Sequence, residues 1–317
     1  MTPSRPISNP QSKILNRRIS NDSMPSTRDI RRRITSVKKT AQITNAMSMV
    51  AQAKMARAQQ AAIAGRPYAE LMNRMLGEVV THAGDFEHPL METRSGERRA
   101  LILVTTDKGM CGAVNTNLLR LVSDEFIKDD TRVVSAGRKG AQHATRAGWD
   151  LAAEFPYADR PTFAEARVIT KMAVDLFESG EVDHVDIAFS NFINTILQKP
   201  EVQTLLPITE IKGVSAGVEG EEMSAELPGG TTEFLFEPSA GGVLGELLSH
   251  YLNFQVHQIL LEAKASEFSS KMVAMKNATD NANNLIKDLT LTFNKMRQAA
   301  ITNELLEITT AQMALGN

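Results

Sequence analysis

Leu247-Leu-Ser-His-Tyr251-Leu-Asn-Phe254-Gln-Val-His-Gln258-Ile-Leu-Leu261-Glu-Ala-Lys-Ala265 opens the stretch that decides the fold. After Gly245 the chain carries neither Gly nor Pro until Gly316, so nothing in it breaks a helix. Its seam steps alternately by four and three residues through Leu247, Tyr251, Phe254, Gln258, Leu261, Ala265, Phe268 and Met272. It continues in the same way through Met275, Thr279, Ala282, Ile286, Leu289, Phe293, Met296 and Ala300. This is the spacing of a coiled coil. At 1.5 Å per residue such a helix reaches roughly 100 Å, more than one small domain spans, so much of it must project. A heptad repeat held this long imposes a left-handed supercoil on a partner helix.

The only comparable partner within the chain lies at its other end. From Ser26 to Ala64 there is again no Pro or Gly, and Ser26, Thr27 and Asp29 after Pro25 supply N-capping chemistry. The same alternation runs through Ile30, Ile34, Val37, Ala41, Thr44, Ser48, Ala51, Met55, Ala58 and Ala62. Most of these side chains are small, which lets a second helix approach closely, while Arg31, Arg32, Arg33, Lys38 and Lys39 fall mainly outside the seam. Gly65 and Pro67 interrupt the pattern. The two ends are expected to form an intramolecular antiparallel coiled coil.

Between them the texture changes. Ala100-Leu-Ile-Leu-Val-Thr105 reads as a buried strand, followed by a helical pattern over 115–127 and a second strand at Arg132-Val-Val-Ser135. Further strands are expected over 185–190, 202–208 and 233–236, with helices near 139–147 and 163–177 and a Gly-, Glu- and Ser-rich loop over 212–230. Strand and helix alternate, so the fold class is α/β with long helices: a central Rossmann-like domain with a mostly parallel sheet, inserted between the coiled-coil helices. The organisation read from the sequence is an extension over 1–23, an N-terminal coiled-coil helix over 24–82, the α/β domain over 99–238 and a C-terminal coiled-coil helix over 239–317. The extension is rich in Pro, Ser and Asn without helical periodicity and reads as disordered, with Met24 as the expected initiator.

The formal charge of −2 over 317 residues supplies no overall field for nucleic acid or an anionic surface. A single cysteine, Cys111, excludes an internal disulfide and points to a reducing compartment. No run approaches the ~20 apolar residues of a membrane span, so any membrane association is expected to be peripheral. An α/β domain invites a nucleotide, and Thr105-Thr-Asp-Lys-Gly-Met-Cys-Gly112 stands where a phosphate loop would. Neither dinucleotide nor P-loop spacing is present, and the glycines are read as turn formers. Gly137-Arg-Lys-Gly140 is likewise read as a turn with solvated charges, Cys111 as a small packed residue, and the histidines as surface or helix-packing residues. No cofactor, metal or catalytic pair is implied. Near the last helix's end, Arg297, Gln298, Thr302 and Glu304 punctuate an apolar and small-residue surface, and no charge follows Glu307. A final turn with Ile308, Met313 and Leu315 calls for an apolar sheath from another protein; the alternative is disorder.

Ile30-Arg-Arg-Arg-Ile-Thr-Ser-Val-Lys-Lys-Thr40 and Gln42-Ile-Thr-Asn-Ala-Met-Ser-Met-Val-Ala51 resemble the opening helix of the gamma subunits of F-type ATP synthases. Met272-Val-Ala-Met-Lys-Asn-Ala-Thr-Asp-Asn281 and Asn294-Lys-Met-Arg-Gln-Ala-Ala-Ile-Thr-Asn-Glu304 resemble that family's C-terminal helix. Asp107-Lys-Gly-Met-Cys-Gly112, Phe192-Ile-Asn-Thr195 and Phe234-Leu-Phe-Glu-Pro238 match its central motifs. The resemblance implies a non-catalytic central rotor shaft within a ring of three alpha and three beta subunits. The α/β domain would rest on the c-subunit ring beside the epsilon subunit, peripheral to the cytoplasmic side of a bacterial plasma (inner) membrane. It implies contacts to the alpha/beta ring from Met47, Lys271, Arg297, Gln298, Thr302 and Glu304, and to the c-ring from Phe234, Phe236 and Glu237. Lys271 stands where the family has Arg, and two tyrosines expected near Phe234 are phenylalanine here, without their hydroxyls. Three rival readings are a coiled-coil scaffold or chaperone, a small-molecule enzyme of the α/β domain, and a nucleic-acid binder through the arginines near Arg31. The first leaves the uncharged tip unexplained, the second lacks a phosphate loop and an acid/base pair, and the third lacks aromatic interleaving.

Overall fold

The computed structural model describes residues 26–65, 67–69, 71–72, 75–76, 88–208 and 240–315. These fall into two compact units, 26–45 with 277–315 and 46–276. The first helix, α1, is Thr27–Ala64, and the last, α5, is Ala240–Leu315, a continuous helix of 76 residues. α1 starts on a reciprocal cap: the Asp29 amide donates to Ser26 Oγ at 3.3 Å and the Ser26 amide to Asp29 Oδ2 at 3.2 Å.

Covered positions on α1 coincide with the predicted seam. Ile30, Ala41, Ala51, Ala58 and Ala62 are buried, and Ile34, Val37, Thr44, Ser48 and Met55 are half-buried. Within the unit 26–45 with 277–315, the Thr44 and Thr279 hydroxyls meet at 2.7 Å and the Arg31 guanidinium lies 5.4 Å from the centre of the Phe293 ring. Within the unit 46–276, Ser48 Oγ donates to Met272 O at 3.1 Å, Ala58 packs with Ala265 and Phe268, and Gln258 Nε2 donates to Ala62 O at 3.4 Å. Numbers rise along α1 as they fall along α5 in each unit, so the pair is antiparallel. The alanines explain the closeness: a methyl adds about 0.8 kcal/mol of burial but permits near contact of the backbones.

The unit 46–276 also holds the α/β domain. A short turn, Pro89–Met91, precedes β1 (Arg99–Val104), α2 (Val114–Glu125), β2 (Thr131–Ala136), α3 (Arg138–Ala147), β3 (Asp150–Phe155), α4 (Phe163–Glu178), β4 (His184–Phe192) and β5 (Gln198–Leu206). The sheet order is β3-β2-β1-β4-β5, parallel except for the β4–β5 pairing. β1 is central, with Leu101 opposite Val133 on one side and Asp186 on the other. Its two-residue alternation sorts the core. Leu101 and Leu103 pack with Leu118 and Val122 of α2 and Ala144 of α3, while Ala100, Ile102 and Val104 pack with Ile169, Ala173 and Phe177 of α4. Leu248, Leu252, Val256, Leu260 and Ala263 of α5 join that second cluster. Every residue of α5 from 258 to 269 is therefore buried, with α1 on one side and the domain on the others.

The sequence reading placed β1, β2, β4 and β5 but not β3. That strand sits at the sheet edge with Asp150 and Glu154 exposed and the rest only partly covered, and its Asp-Leu-Ala-Ala-Glu-Phe run has neither β-branched side chains nor a buried apolar face. α4 begins with a capping box in which Thr162 Oγ1 accepts from the Glu165 amide at 3.3 Å and Glu165 Oε2 from the Thr162 amide at 2.7 Å. The expected strand over 233–236, the loop over 212–230 and the extension over 1–23 lie outside the described residues.

Candidate functional site

In a doubly wound sheet, ligands bind beyond the carboxyl ends of the strands where the strand order reverses, here between β1 and β4. That crevice is filled by the chain itself. Ser270 Oγ of α5 donates to Cys111 O at 2.7 Å in the β1–α2 loop, and a Cβ on Gly112 would lie 2.8 Å from the same hydroxyl oxygen. Gly112 has φ 60°, as a turn glycine should, but the second left-handed residue of the loop is Met110 at φ 63°, not Gly109. Cys111 is buried, its sulfur 3.5 Å from Asn115 Nδ2. Ser269 Oγ closes the β4 side by donating to Thr195 O at 2.7 Å.

The amides that could have cradled a phosphate at Gly137–Gly140 are already taken. Gly137 N donates to Phe155 O at 3.0 Å, Arg138 N to Asp107 Oδ1 at 3.0 Å, Lys139 N to Thr106 O at 3.1 Å and Gly140 N to Thr105 Oγ1 at 2.7 Å. Both glycines are required by close approach: a Cβ at Gly137 would sit 2.2 Å from Thr105 O, and one at Gly140 2.6 Å from Ser135 Oγ. The loops at this end of the sheet are built to hold each other and α5.

Beside the filled crevice lies a cleft of about 550 Å³ lined by Met47, Val50 and Lys54 of α1, Asp107 and Lys108 after β1, Tyr157 and Asp159 after β3, and Lys264, Glu267, Phe268 and Lys271 of α5. Two of the predicted ring-contact residues, Met47 and Lys271, are thus neighbours here. Lys54 is ion-paired with Asp159, and that hydrogen bond holds the Asp159 carboxyl below the usual carboxylate range despite partial burial. Glu267, 3% exposed, accepts from Lys264 Nζ at 3.0 Å and from Lys271 Nζ at 2.9 Å. The Lys264 ammonium also lies 4.1 Å from the centre of the Tyr157 ring, and the Tyr157 hydroxyl donates to Thr105 O at 3.0 Å. Burial, with the nearby Glu267 and Asp107 carboxylates, drives the Tyr157 phenol well above its ordinary value. The sequence reading singled out none of Tyr157, Lys264 and Glu267. Charges three and four residues apart on a helix ordinarily signify a solvated face, and nothing local marked this one as buried.

The other four predicted contacts stand in the unit 26–45 with 277–315. From Arg297 to Ala314 every residue of α5 is exposed. Arg297, Gln298 and Glu304 reach solvent, whereas the Thr302 hydroxyl donates to Gln298 O at 2.9 Å within the helix. Ile301, Leu305, Leu306, Ile308 and Met313 are each at least half exposed, and their spacing places apolar surface on more than one face. Phe234, Phe236 and Glu237 lie outside the described residues. No described helix is long and apolar enough to cross a membrane.

Comparison with known proteins follows the same span. A family profile described as ATP synthase matches residues 26–315. The chain is similar to an ATP synthase gamma chain of Opitutus terrae, 48% identical over 92% of this chain and 99% of the relative. An ATP synthase gamma chain of Methylacidiphilum infernorum is 42% identical over 92% of this chain and 100% of its own length. Among solved structures, a chain of the central stalk and c-ring of the Tetrahymena thermophila mitochondrial ATP synthase aligns with a TM-score of 0.56 at 26% identity, covering 74% of this chain and 99% of that one. A chain from the Euglena gracilis mitochondrial enzyme shares the fold at a TM-score of 0.63 and 19% identity, covering 91% and 94%.

Proposed function

The chain belongs to the ATP synthase gamma-chain family, and from that membership we propose how its two exposed regions serve a rotary shaft. It is a non-catalytic subunit of the central-stalk rotor and peripheral in a membrane complex. The end of α5, with Arg297, Gln298, Thr302 and Glu304, enters a ring of three alpha and three beta subunits, and Met47 and Lys271 meet the same ring from the cleft. The α/β domain rests on the c-subunit ring beside the epsilon subunit, with Phe234, Phe236 and Glu237 facing the c-ring. In this reading the chain lies on the cytoplasmic side of a bacterial plasma (inner) membrane, peripheral to it through the complex.

The mechanism is a difference of contacts. One asymmetric shaft presents a different face to each of three equivalent beta subunits, so it stabilises a different conformation, with a different nucleotide affinity, in each. Proton-driven rotation of the c-ring changes which face each beta meets, and ATP hydrolysis drives the same cycle backwards. Two helices in close small-residue contact transmit torque better than one.

The observation that carries this reading is the end of α5, a helix that exposes Ile301, Leu305, Leu306, Ile308 and Met313 in the isolated chain. A helix apolar on several faces finds its stable state inside a sheath. The test is ATP hydrolysis by purified alpha and beta subunits of the same source, with and without this chain in stoichiometric amount. Activity and a stable larger assembly are expected only with it. A chain that neither co-purifies nor changes turnover would leave the scaffold reading in its place.

A further inference from the structure

Glu267 is a carboxylate with two cations and almost no water: 3% exposed, it gives one oxygen to Lys264 and the other to Lys271. Its two partners differ. Both line the cleft, but Lys264 is 2% exposed and closed in by the Tyr157 ring, whereas the Lys271 side chain keeps 14% of its exposure. An ammonium buried as deeply as that of Lys264 requires a counter-charge, so Glu267 cannot swing away without stranding it. Tyr157 is fixed in turn by its hydrogen bond to Thr105 O at the end of β1. A chain of contacts therefore runs from the central strand of the sheet through Tyr157, Lys264 and Glu267 to Lys271. Left to itself, a lysine samples many rotamers and loses that freedom on meeting a partner; held by an immobile carboxylate, it has lost much of it beforehand.

We infer that Glu267 is a positioning residue of the rotor: backed by the buried Lys264, it fixes the direction in which the Lys271 ammonium meets the surrounding ring. This rests on the reading that Lys271 touches the ring. The device joins the sheet to the contact, so torque borne by the α/β domain reaches Lys271 through bonded and ion-paired groups rather than through a loose side chain.

The test uses membrane vesicles carrying the assembled synthase and reads protons pumped per ATP hydrolysed. Lys264→Met with Glu267→Gln removes both charges of the buried pair and strands neither. It is expected to assemble, to melt with the parent and to lower the pumping ratio about threefold. Added to Lys271→Ala, the same pair of changes is expected to be silent, because Glu267 acts through Lys271; a merely structural role would lower the ratio in both backgrounds. Glu267→Asp keeps the buried charge but cannot span both lysines, and it too is expected to lower the ratio, which preserves the test should the double variant fail to assemble. A parental ratio in these variants, with Lys271→Ala impaired, overturns the inference alone, as does an undiminished loss in the Lys271→Ala background. A parental ratio in Lys271→Ala itself overturns the contact assigned to that lysine and the inference with it.

Discussion

α5 carries one heptad pattern but has two opposite environments. Between 258 and 269 every side chain is buried, including Lys264, Glu262 and Glu267; between 297 and 314 every side chain is exposed, including five large apolar ones. Composition does not separate the two. The buried segment holds more charge than a core helix tolerates, and the exposed one more apolar surface than a solvated helix does. What differs is the coat: α1 and the sheet domain surround the first within this chain, and nothing described surrounds the second. The lesson is that a seam identifies the residues that pair, while the other faces of the same helix are decided by whatever else folds against them.

The sharpest way to break this comparison is a pair of equal truncations. Leu260 is 0% exposed and packs among Ile102, Phe177 and Leu248, so Leu260→Ala is expected to cost about 3 kcal/mol through lost burial and a residual cavity. Leu305 is 59% exposed, and Leu305→Ala is expected to change the full chain's stability by less than ~0.5 kcal/mol. Denaturant titration of both variants beside the parent measures the difference. Equal losses would mean that the end of α5 is already packed in the isolated chain.

A pH-dependent effect sharpens the comparison within the buried segment. Burial pushes the Glu262 carboxyl from 4.5 up to about 8, with Glu201 on β5 adding to the shift and the hydrogen bond with Gln258 opposing it. The folded chain thus retains a proton that the unfolded chain releases near pH 4.5. Stability from this group is full below that pH and declines as pH rises, at up to ~1.4 kcal/mol per unit, until the folded carboxyl ionises near pH 8. Asp159, Glu165 and Asp183 are held low and act in the opposite sense, so the measurement is a difference. Subtracting the Glu262→Gln stability curve from the parent's should leave a difference that falls between pH 4.5 and about pH 8, the unfolded and folded values of this carboxyl. Parallel curves would show that the carboxyl finds a charge-stabilising partner.

The reach of sequence reading follows the same division. The seams of α1 and α5 were legible because a heptad is a local pattern whose meaning needs only a second helix. β1 and β4 were legible as buried apolar runs. β3 was not, because an edge strand with Ala152 and Ala153 at its centre carries no burial signal. The sequence marks the Gly112 turn but not the left-handed Met110, because methionine carries no preference for that conformation. The predicted contacts rest on resemblance, which does not reveal that Met47 and Lys271 share a cleft or that Glu267 holds Lys271. Those facts depend on which residues the fold brings together.

The smallest expected change in stability belongs to Arg297→Ala with Gln298→Ala, and it bears most directly on function. Both residues are exposed beyond the last half-buried seam position, Met296, so their truncation removes no packing and is expected to shift stability by only a few tenths of a kcal/mol. If the end of α5 works inside the ring, the same double variant should lower proton-driven ATP synthesis or impair assembly, because contacts missing from the isolated chain exist in the complex. Stability and function are then expected to part in these variants, in contrast to Leu260→Ala, where the fold itself is weakened. Unchanged ATP synthesis at normal assembly would remove Arg297 and Gln298 from the contact set and leave the apolar residues from Ile301 to Met313 as the part of the helix that the ring holds.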